Sequence, residues 1–269
     1  MHFILPRKLG SERLDTVIGS FSAMKDNSEV HLNWSKVEII EPAGHALISI
    51  LIDQAIEKKC SLIHSNLSPR IKKSYPLLTN DFEEIGLPKP AQHFYKDQNS
   101  FSICCQGGIN LLYKEILLNE YGNRLEEDLL FSIQLVFNEL MQNAVDHSTS
   151  ERYYLYFGLL KDEVHFGVLD MGITLPSKME QKFNAENDID FLELSLQEGI
   201  TTRRLRTGGL GLFHTLEMIK DMGGKFVFIS RDGQIRRYFS QRKISRLKLK
   251  SRLQGTWVMF TFKIKGHTK

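Results

Sequence analysis

The chain has 269 residues, 42% of them apolar and 25% charged, which is the composition of an ordinary globular protein with one large or two small domains. No apolar run reaches the length of a membrane span, so we expect no transmembrane helix and no membrane partner. The formal net charge of +3 at pH 7 is too small to require a polyanionic partner, which disfavours nucleic acid.

The first third of the chain alternates strand-like and helix-like patterns. Helical spacing of apolar residues predicts a helix from about residue 14, a second that begins at Pro42 and a third that begins at Pro69. Short apolar runs predict strands at residues 3–5, 30–32, 37–40 and 61–64. Strands separated by helices predict an α/β fold with a largely parallel sheet.

The pattern changes near residue 90. Residues 86–90 are rich in Gly and Pro, and residues 91–100 are polar without periodicity. We therefore predict a first domain at 1–90, a linker at 91–100 and a second domain at 101–269. In the second domain the expected helices are 109–119, 124–147, 191–196 and 210–222, and the expected strands are 153–160, 163–169, 225–230, 235–239 and 256–264. This order predicts an α+β two-layer sandwich on a mixed sheet.

The most informative segment runs from Glu139 to His147 in the second long helical pattern. Glu139 and Asn143 are four residues apart, so both side chains leave a helix from one face. An acid and a carboxamide in this arrangement can hold a hydrated Mg²⁺, which prefers oxygen ligands and keeps several waters. Alone, the pair is more often a solvated helix face, and its meaning depends on what accompanies it.

Two glycine-containing segments follow in an order that suits a nucleotide site. The first is Asp170-Met171-Gly172, which alone would indicate a hairpin. The second leads directly into a predicted helix and consists of Thr207, Gly208, Gly209, Leu210, Gly211 and Leu212. Backbone N–H groups at such a junction bind phosphate with the help of the helix dipole. The ordered set of three segments predicts an ATP site.

In these motifs and their order, residues 101–269 resemble the GHKL ATPase superfamily with its Bergerat ATP-binding fold, and most closely the anti-sigma-factor serine kinases. The resemblance implies that Asn143 and Glu139 hold Mg²⁺, that Glu139 is the catalytic base, and that Asp170 accepts a hydrogen bond from the adenine amino group. It also implies nucleotide-binding roles for Asp146, His147, Gly172, the segment from Thr207 to Leu212, and Thr256.

One position departs from the family pattern. The second motif is normally Asp-x-Gly-x-Gly, and here Thr174 stands in place of the second glycine. If that position requires a positive φ, threonine is a strained choice. We therefore expect the departure to affect the lid and turnover more than adenine binding.

Residues 1–90 resemble STAS domains, the fold of anti-sigma-factor antagonists. The antagonists carry a phosphorylated hydroxyl at the start of one helix, where this chain has Glu41-Pro42-Ala43-Gly44. Neither Pro42 nor Ala43 has a hydroxyl, so this loop cannot be phosphorylated in that way. We expect the domain to serve in docking or autoinhibition, with a scaffold role as the alternative.

A basic segment lies near the end of the chain, with Asp232 as its single acidic neighbour. Its cations are Arg236, Arg237, Arg242, Lys243, Arg246, Lys248, Lys250 and Arg252. A surface for an acidic partner or for nucleic acid is one interpretation. We favour an exposed loop or hairpin insertion between two sheet strands, because few aromatic residues accompany the charge.

These features predict a Mg-ATP-binding regulatory protein, a serine/threonine kinase acting on a protein partner such as a STAS-domain or sigma-factor-like regulator. The alternative is a nucleotide-gated interaction module without phosphoryl transfer. Kinases of this family commonly dimerise, so a homodimer is expected. Three cysteines with one adjacent pair suit a reducing compartment, and we expect a cytoplasmic location.

Overall fold

The computed structural model describes residues 2–75, 94–147, 152–200 and 211–264. The first part contains β1 (His2–Ile4), β2 (Lys8–Leu9), α1 (Leu14–Ala23), β3 (Glu29–Asn33), β4 (Ile39–Ile40), α2 (Pro42–Glu57), β5 (Ser61–Ser65) and α3 (Pro69–Ser74). Strands β1, β3 and β5 form a parallel sheet with β3 in the centre, and β2 pairs with β4, also in parallel. The strands and helices predicted here are all present, although the strand predicted at 37–40 is limited to two residues.

The second part is built on one large sheet. Its elements are β6 (Phe94–Lys96), β7 (Ser100–Gln106), α4 (Leu112–Tyr121), α5 (Glu127–His147), β8 (Arg152–Leu160), β9 (Glu163–Asp170), α6 (Leu175–Met179), α7 (Asp188–Ser195), α8 (Gly211–Asp221), β10 (Lys225–Tyr238) and β11 (Lys243–Lys263). The sheet order is β10-β11-β9-β8-β7-β6, and all five pairings are antiparallel. The expectation of a mixed sheet was therefore wrong.

Alternation along the strands gives the sheet two apolar faces. Phe166, Val168 and Phe260 lie on the helix face, where they pack with apolar residues of α4, α5, α7 and α8. Their neighbours Leu169 and Met259 lie on the back face, where they pack with α1 and α2. Successive side chains of a strand point to opposite sides, so each strand serves both cores.

The first part of the chain supplies the layer that covers the back face. Its apolar residues and those of the back face form one continuous core. Residues 101–264 therefore do not stand as a two-layer sandwich, because α1 and α2 add a third layer. Residues 94–96, placed in a linker by the sequence, form the edge strand β6, with Tyr95 opposite Ser102 of β7. The remainder of the predicted boundary, 76–93, lies outside the described residues.

Close packing and polar contacts join α2 to the back face. A Cβ added to Gly158 of β8 would lie 2.5 Å from the Cγ of Pro42, so the backbones can approach only because Gly158 has no side chain. The buried carboxylate of Asp53 accepts a hydrogen bond from the Tyr154 hydroxyl at 2.7 Å. Arg152 of β8 pairs with Asp53 at 3.8 Å and also with Glu57. The first part is thus fastened to the sheet away from the helix face.

The last two strands form a long hairpin. The sequence predicted separate strands at 225–230 and 235–239, but β10 is continuous through Arg231, whose φ is 56°. Register shifts beside Arg231 bend the hairpin, and the amide of Phe239 returns to donate to the carbonyl of Gly224 at 3.0 Å. The basic segment is therefore part of a hairpin, as favoured from the sequence. Among the described helices, none is long and apolar enough to cross a membrane.

Candidate functional site

Three polar side chains lie next to each other on three adjacent strands, on the helix face of the sheet. Asp170 ends β9, Thr256 lies opposite this end on β11, and Ser230 of β10 pairs in register with Thr256. All three follow the alternation that places Val168, Val258 and Phe228 on the helix face. The strand periodicity therefore gathers these residues on the side of the sheet that carries α5 and α8.

Asp170 has a carboxylate that is only 6% exposed and has no described basic side chain beside it. The amide of Gly172 donates to its Oδ1 at 3.0 Å, and the backbone amide of Thr256 also donates to the carboxylate. Burial raises the pKa of Asp170 to about 7, and these two hydrogen bonds oppose the shift only in part. A ligand amino group that donates to Asp170 would favour its ionised form.

Gly255 allows β11 to lie very close beside the end of β9. Its φ is +89°, and a Cβ at this position would overlap the carbonyl oxygen of Asp170. A residue with a side chain would therefore be strained in its backbone and would push the strands apart. Gly255 thereby places the amide of Thr256 on the carboxylate of Asp170.

Thr174 does not meet the condition under which threonine would be strained at this position. Its φ of −68° lies in the ordinary extended region. Its side chain accepts from the amide of Ser177 at 3.4 Å and so caps the N-terminus of α6. The next amide, that of Leu175, donates to the Ser230 hydroxyl at 2.9 Å and lies 3.2 Å from the Thr256 hydroxyl. Ser230 was not among the predicted site residues, although a serine directly after the apolar run 226–229 was a usable signal.

The helix α5 carries the acid and the carboxamide. Its apolar face packs on β9, where the rings of Phe137 and Phe166 lie 5.3 Å apart, and it also contacts α8. Glu139 is 5% exposed and Asn143 is half-buried, one helical turn further along. Asp146 is exposed and accepts a hydrogen bond from Gln142 at 2.7 Å. The described parts of the predicted motifs thus lie on α5, at the end of β9 and, for Gly211 and Leu212, at the start of α8, and α5 contacts both β9 and α8.

Part of the predicted phosphate segment lies outside the described residues. This applies to Thr207, Gly208, Gly209 and Leu210, and to the side chain of His147. Gly211 opens α8 with a φ of +69°, and Leu212 packs against the core on the helix face.

The described side chains show which kind of metal binding is possible in this part of the protein. They contain no group of three or more His, Cys, Asp or Glu side chains able to hold one. Mg²⁺ in nucleotide sites commonly takes few protein ligands and completes its shell with phosphates and water. The pair Glu139 and Asn143 fits that mode of binding better than a closed protein cage.

An ion-pair network next to the site was not foreseen. Arg231, which follows Ser230, pairs with Asp188 of α7 and with Glu180 at 2.6 Å. Burial works against ionisation of Asp188, but its hydrogen bonds with Arg231 lower the pKa to about 2. Arg231 also lies 3.4 Å from the Ser177 hydroxyl of α6. These contacts therefore connect the segment that follows Asp170 to the hairpin. The network was not predicted, because Arg231 and its partners are more than forty residues apart in the sequence.

Comparisons of this chain with protein-family models, with curated proteins and with solved structures find no match. The assignment of the site therefore rests on the geometry described above and on the motif resemblance.

Proposed function

We propose that the chain binds Mg-ATP and regulates a partner protein, acting as a serine/threonine kinase of the anti-sigma-factor type. The observation that carries the proposal is Asp170, a buried carboxylate held by backbone amides, with its pKa raised to about 7 and no described cation beside it. Such a group suits the amino group of an adenine, which donates a hydrogen bond to the carboxylate.

The other motif residues have matching roles in the proposal. Bound Mg-ATP would supply the phosphoryl group. Asn143 would ligate the metal, and Glu139 would orient or deprotonate the attacking hydroxyl. The amides of Gly211 and Leu212, at the start of α8, would contribute to phosphate binding. Phosphoryl transfer by these residues requires a site from which water is largely excluded. The burial of Glu139 and Asp170 supports such a site.

The packing of the first part favours a separate protein as the substrate. Glu41 is buried, and Pro42 contacts Gly158 on the back face, so the loop that carries the acceptor in STAS antagonists faces away from the proposed nucleotide site. We therefore propose a scaffold role for residues 2–75 in place of autoinhibition at the site. A truncated chain beginning near residue 95 would expose the apolar back face, so binding is best tested on the full chain.

Calorimetric titration of the full chain with ATP, with and without Mg²⁺, tests the proposal. We expect binding that Mg²⁺ strengthens, that Asn143→Ala makes insensitive to Mg²⁺, and that Asp170→Asn weakens by about a hundredfold, which is the cost of losing a charged hydrogen-bond acceptor. The matched control is Asp26→Asn, which changes an exposed acid in the first part and should bind like the wild type. Equal binding by Asp170→Asn and Asp26→Asn would contradict the assignment of the adenine site.

A second experiment separates the kinase from a nucleotide-gated interaction module. The probe is a purified STAS-domain antagonist with its acceptor serine, incubated with the chain and Mg-ATP. The kinase proposal expects phosphoserine on the probe, and expects Glu139→Gln to abolish it while ATP binding persists. Nucleotide-dependent complex formation without phosphoserine would favour the module.

A further inference from the structure

The distal half of the hairpin has an open strand edge. β11 pairs with β9 only over residues 257–263, so in the described part of the chain residues 243–253 have β10 as their one strand neighbour. Over residues 250–252 the outer edge is covered by α1. There the amide of Lys250 donates to Asp15 at 3.3 Å, and Ser22 donates to the carbonyl of Arg252 at 2.8 Å. The segment 243–248 lies beyond this cover, whereas Leu249 is 5% exposed and belongs to the core that contains α1.

This edge carries concentrated positive charge. Between residues 242 and 252 there are six cations and no acid. Arg246 pairs with Glu193 at 2.6 Å, and Lys248 lies 3.9 Å from Asp232. The remaining four have no ion pair within the described residues, and they are Arg242, Lys243, Lys250 and Arg252. The charge is thus largely available to a partner.

Two apolar side chains accompany the charge. Ile244 is 44% exposed and Leu247 is 43% exposed, and their odd spacing places them on opposite faces of the strand. Lysine and arginine on a strand edge discourage pairing with a second copy of the same edge, because the cations would face each other. The same charges attract an extended segment of opposite sign, which gains main-chain hydrogen bonds from the edge.

We propose that the outer edge of β11 over residues 243–248 binds an extended acidic segment of a partner protein as an added β-strand. Acidic side chains of the partner lie beside Lys243 and Lys248, and its apolar side chains cover Ile244 and Leu247. Nucleic acid fits this surface less well, because residues 240–256 contain no aromatic side chain on which a base could stack. This docking surface is independent of the proposed nucleotide site.

The test uses the full chain and a labelled twelve-residue peptide of alternating Glu and Val, with binding followed by fluorescence anisotropy. We expect saturable binding that weakens with added salt. A peptide of the same sequence with alternate backbone nitrogens methylated keeps its charge but loses donors on one edge, and should bind at least about tenfold more weakly. Lys243→Glu should weaken binding by about tenfold, and addition of Lys248→Glu should weaken it further.

The matched control is Lys36→Glu, which reverses an exposed lysine in the first part and should leave peptide binding unchanged. Equal affinity for the methylated and unmethylated peptides would overturn strand addition. Tighter binding of a twelve-nucleotide single strand or duplex than of the acidic peptide would overturn the choice of partner. ATP titration of Lys243→Glu should match the wild type, so failure of this proposal is distinguishable from failure of the nucleotide site.

Discussion

Two buried aspartates, Asp53 of α2 and Asp170 of β9, lie at opposite faces of the large sheet and show that similar burial can have different functions. On the back face, Asp53 is 1% exposed and is paired with the Tyr154 hydroxyl and the Arg152 guanidinium. On the helix face, Asp170 is almost as buried but is held by backbone amides, and its pKa is raised to about 7. The charge of Asp53 is compensated by protein side chains, whereas Asp170 can still accept a hydrogen bond from a ligand.

The comparison separates structural from functional burial of charge. Asp53 joins two parts of the chain, and its partners come from α2 and β8. Asp170 stabilises no described cation, so its burial costs folding free energy that a bound ligand can recover. Single substitutions at these and neighbouring residues test this difference.

Asp53→Ala should cause the largest loss of stability. The change removes Asp53 as an acidic partner of Arg152, which keeps Glu57, and it removes the acceptor of Tyr154. Breaking a buried pair in this way typically costs about 3–5 kcal/mol. Chemical denaturation measures the free energy of unfolding. Asp26→Ala, at an exposed acid, should change it by less than about 0.5 kcal/mol. A similar small change for Asp53→Ala would show that the back-face pair is not structural.

Gly255→Ala should destabilise the fold and also weaken nucleotide binding. The added Cβ meets the Asp170 carbonyl in a backbone conformation with a φ of +89°, and the combined cost should be about 3 kcal/mol. Gly223→Ala is the matched control, because Gly223 also has a positive φ, +67°, but has open space around it. That control should cost about 1 kcal/mol and leave ATP affinity unchanged. Equal effects of the two variants would rule out the close approach at Asp170.

Asp170→Asn should change how the free energy of unfolding depends on pH, because it removes a buried group that titrates. The pKa of Asp170 rises from 3.8 to about 7 on folding, so the folded state binds more protons in that interval and wild-type stability falls as pH rises towards 7. The asparagine variant lacks this titration. Its stability relative to the wild type should increase by about 3 kcal/mol between pH 5 and pH 8. A difference between the two proteins that is independent of pH would show that Asp170 is already ionised at pH 5.

Ser230→Ala should have the smallest effect. Ser230 accepts from the amide of Leu175 and donates to the carbonyl of Gly255 at 2.8 Å. The Thr256 hydroxyl stays within 3.2 Å of the same amide, so one acceptor persists and the cost should be about 1 kcal/mol. Thermal unfolding measures the loss. Adding Thr256→Val should cost more than the sum of the single changes, because it removes the second acceptor.

The regular elements were the most predictable feature of the chain. Strands β8 and β9 lie within one residue of their predicted bounds, and α2 begins at Pro42 as its fixed φ suggests. Local sequence carries these signals because strand alternation and helix spacing are short-range patterns. Among site residues, the i to i+4 pairing of Glu139 and Asn143 followed directly from helix geometry.

The features that were missed depend on contacts between distant segments. β6 lies in a polar stretch without periodicity, and it is a strand because Tyr95 pairs across from Ser102. The back-face layer was missed because the pattern in residues 1–90 indicates apolar faces without specifying what covers them. The role of Gly255 depends on the close approach of β11 to Asp170 of β9, and no local sequence pattern predicts that approach.

Titration of ATP against the wild type at pH 8 and at pH 6.5, in excess Mg²⁺, tests whether Asp170 accepts the hydrogen bond of adenine. If adenine requires the ionised form of a carboxylate whose pKa is about 7, affinity should fall by about fourfold over this interval. Asp170→Asn should bind weakly at both values. An affinity that is equal at the two pH values, or an Asp170→Asn variant that binds as tightly as the wild type, would contradict the assignment of Asp170 as the adenine acceptor.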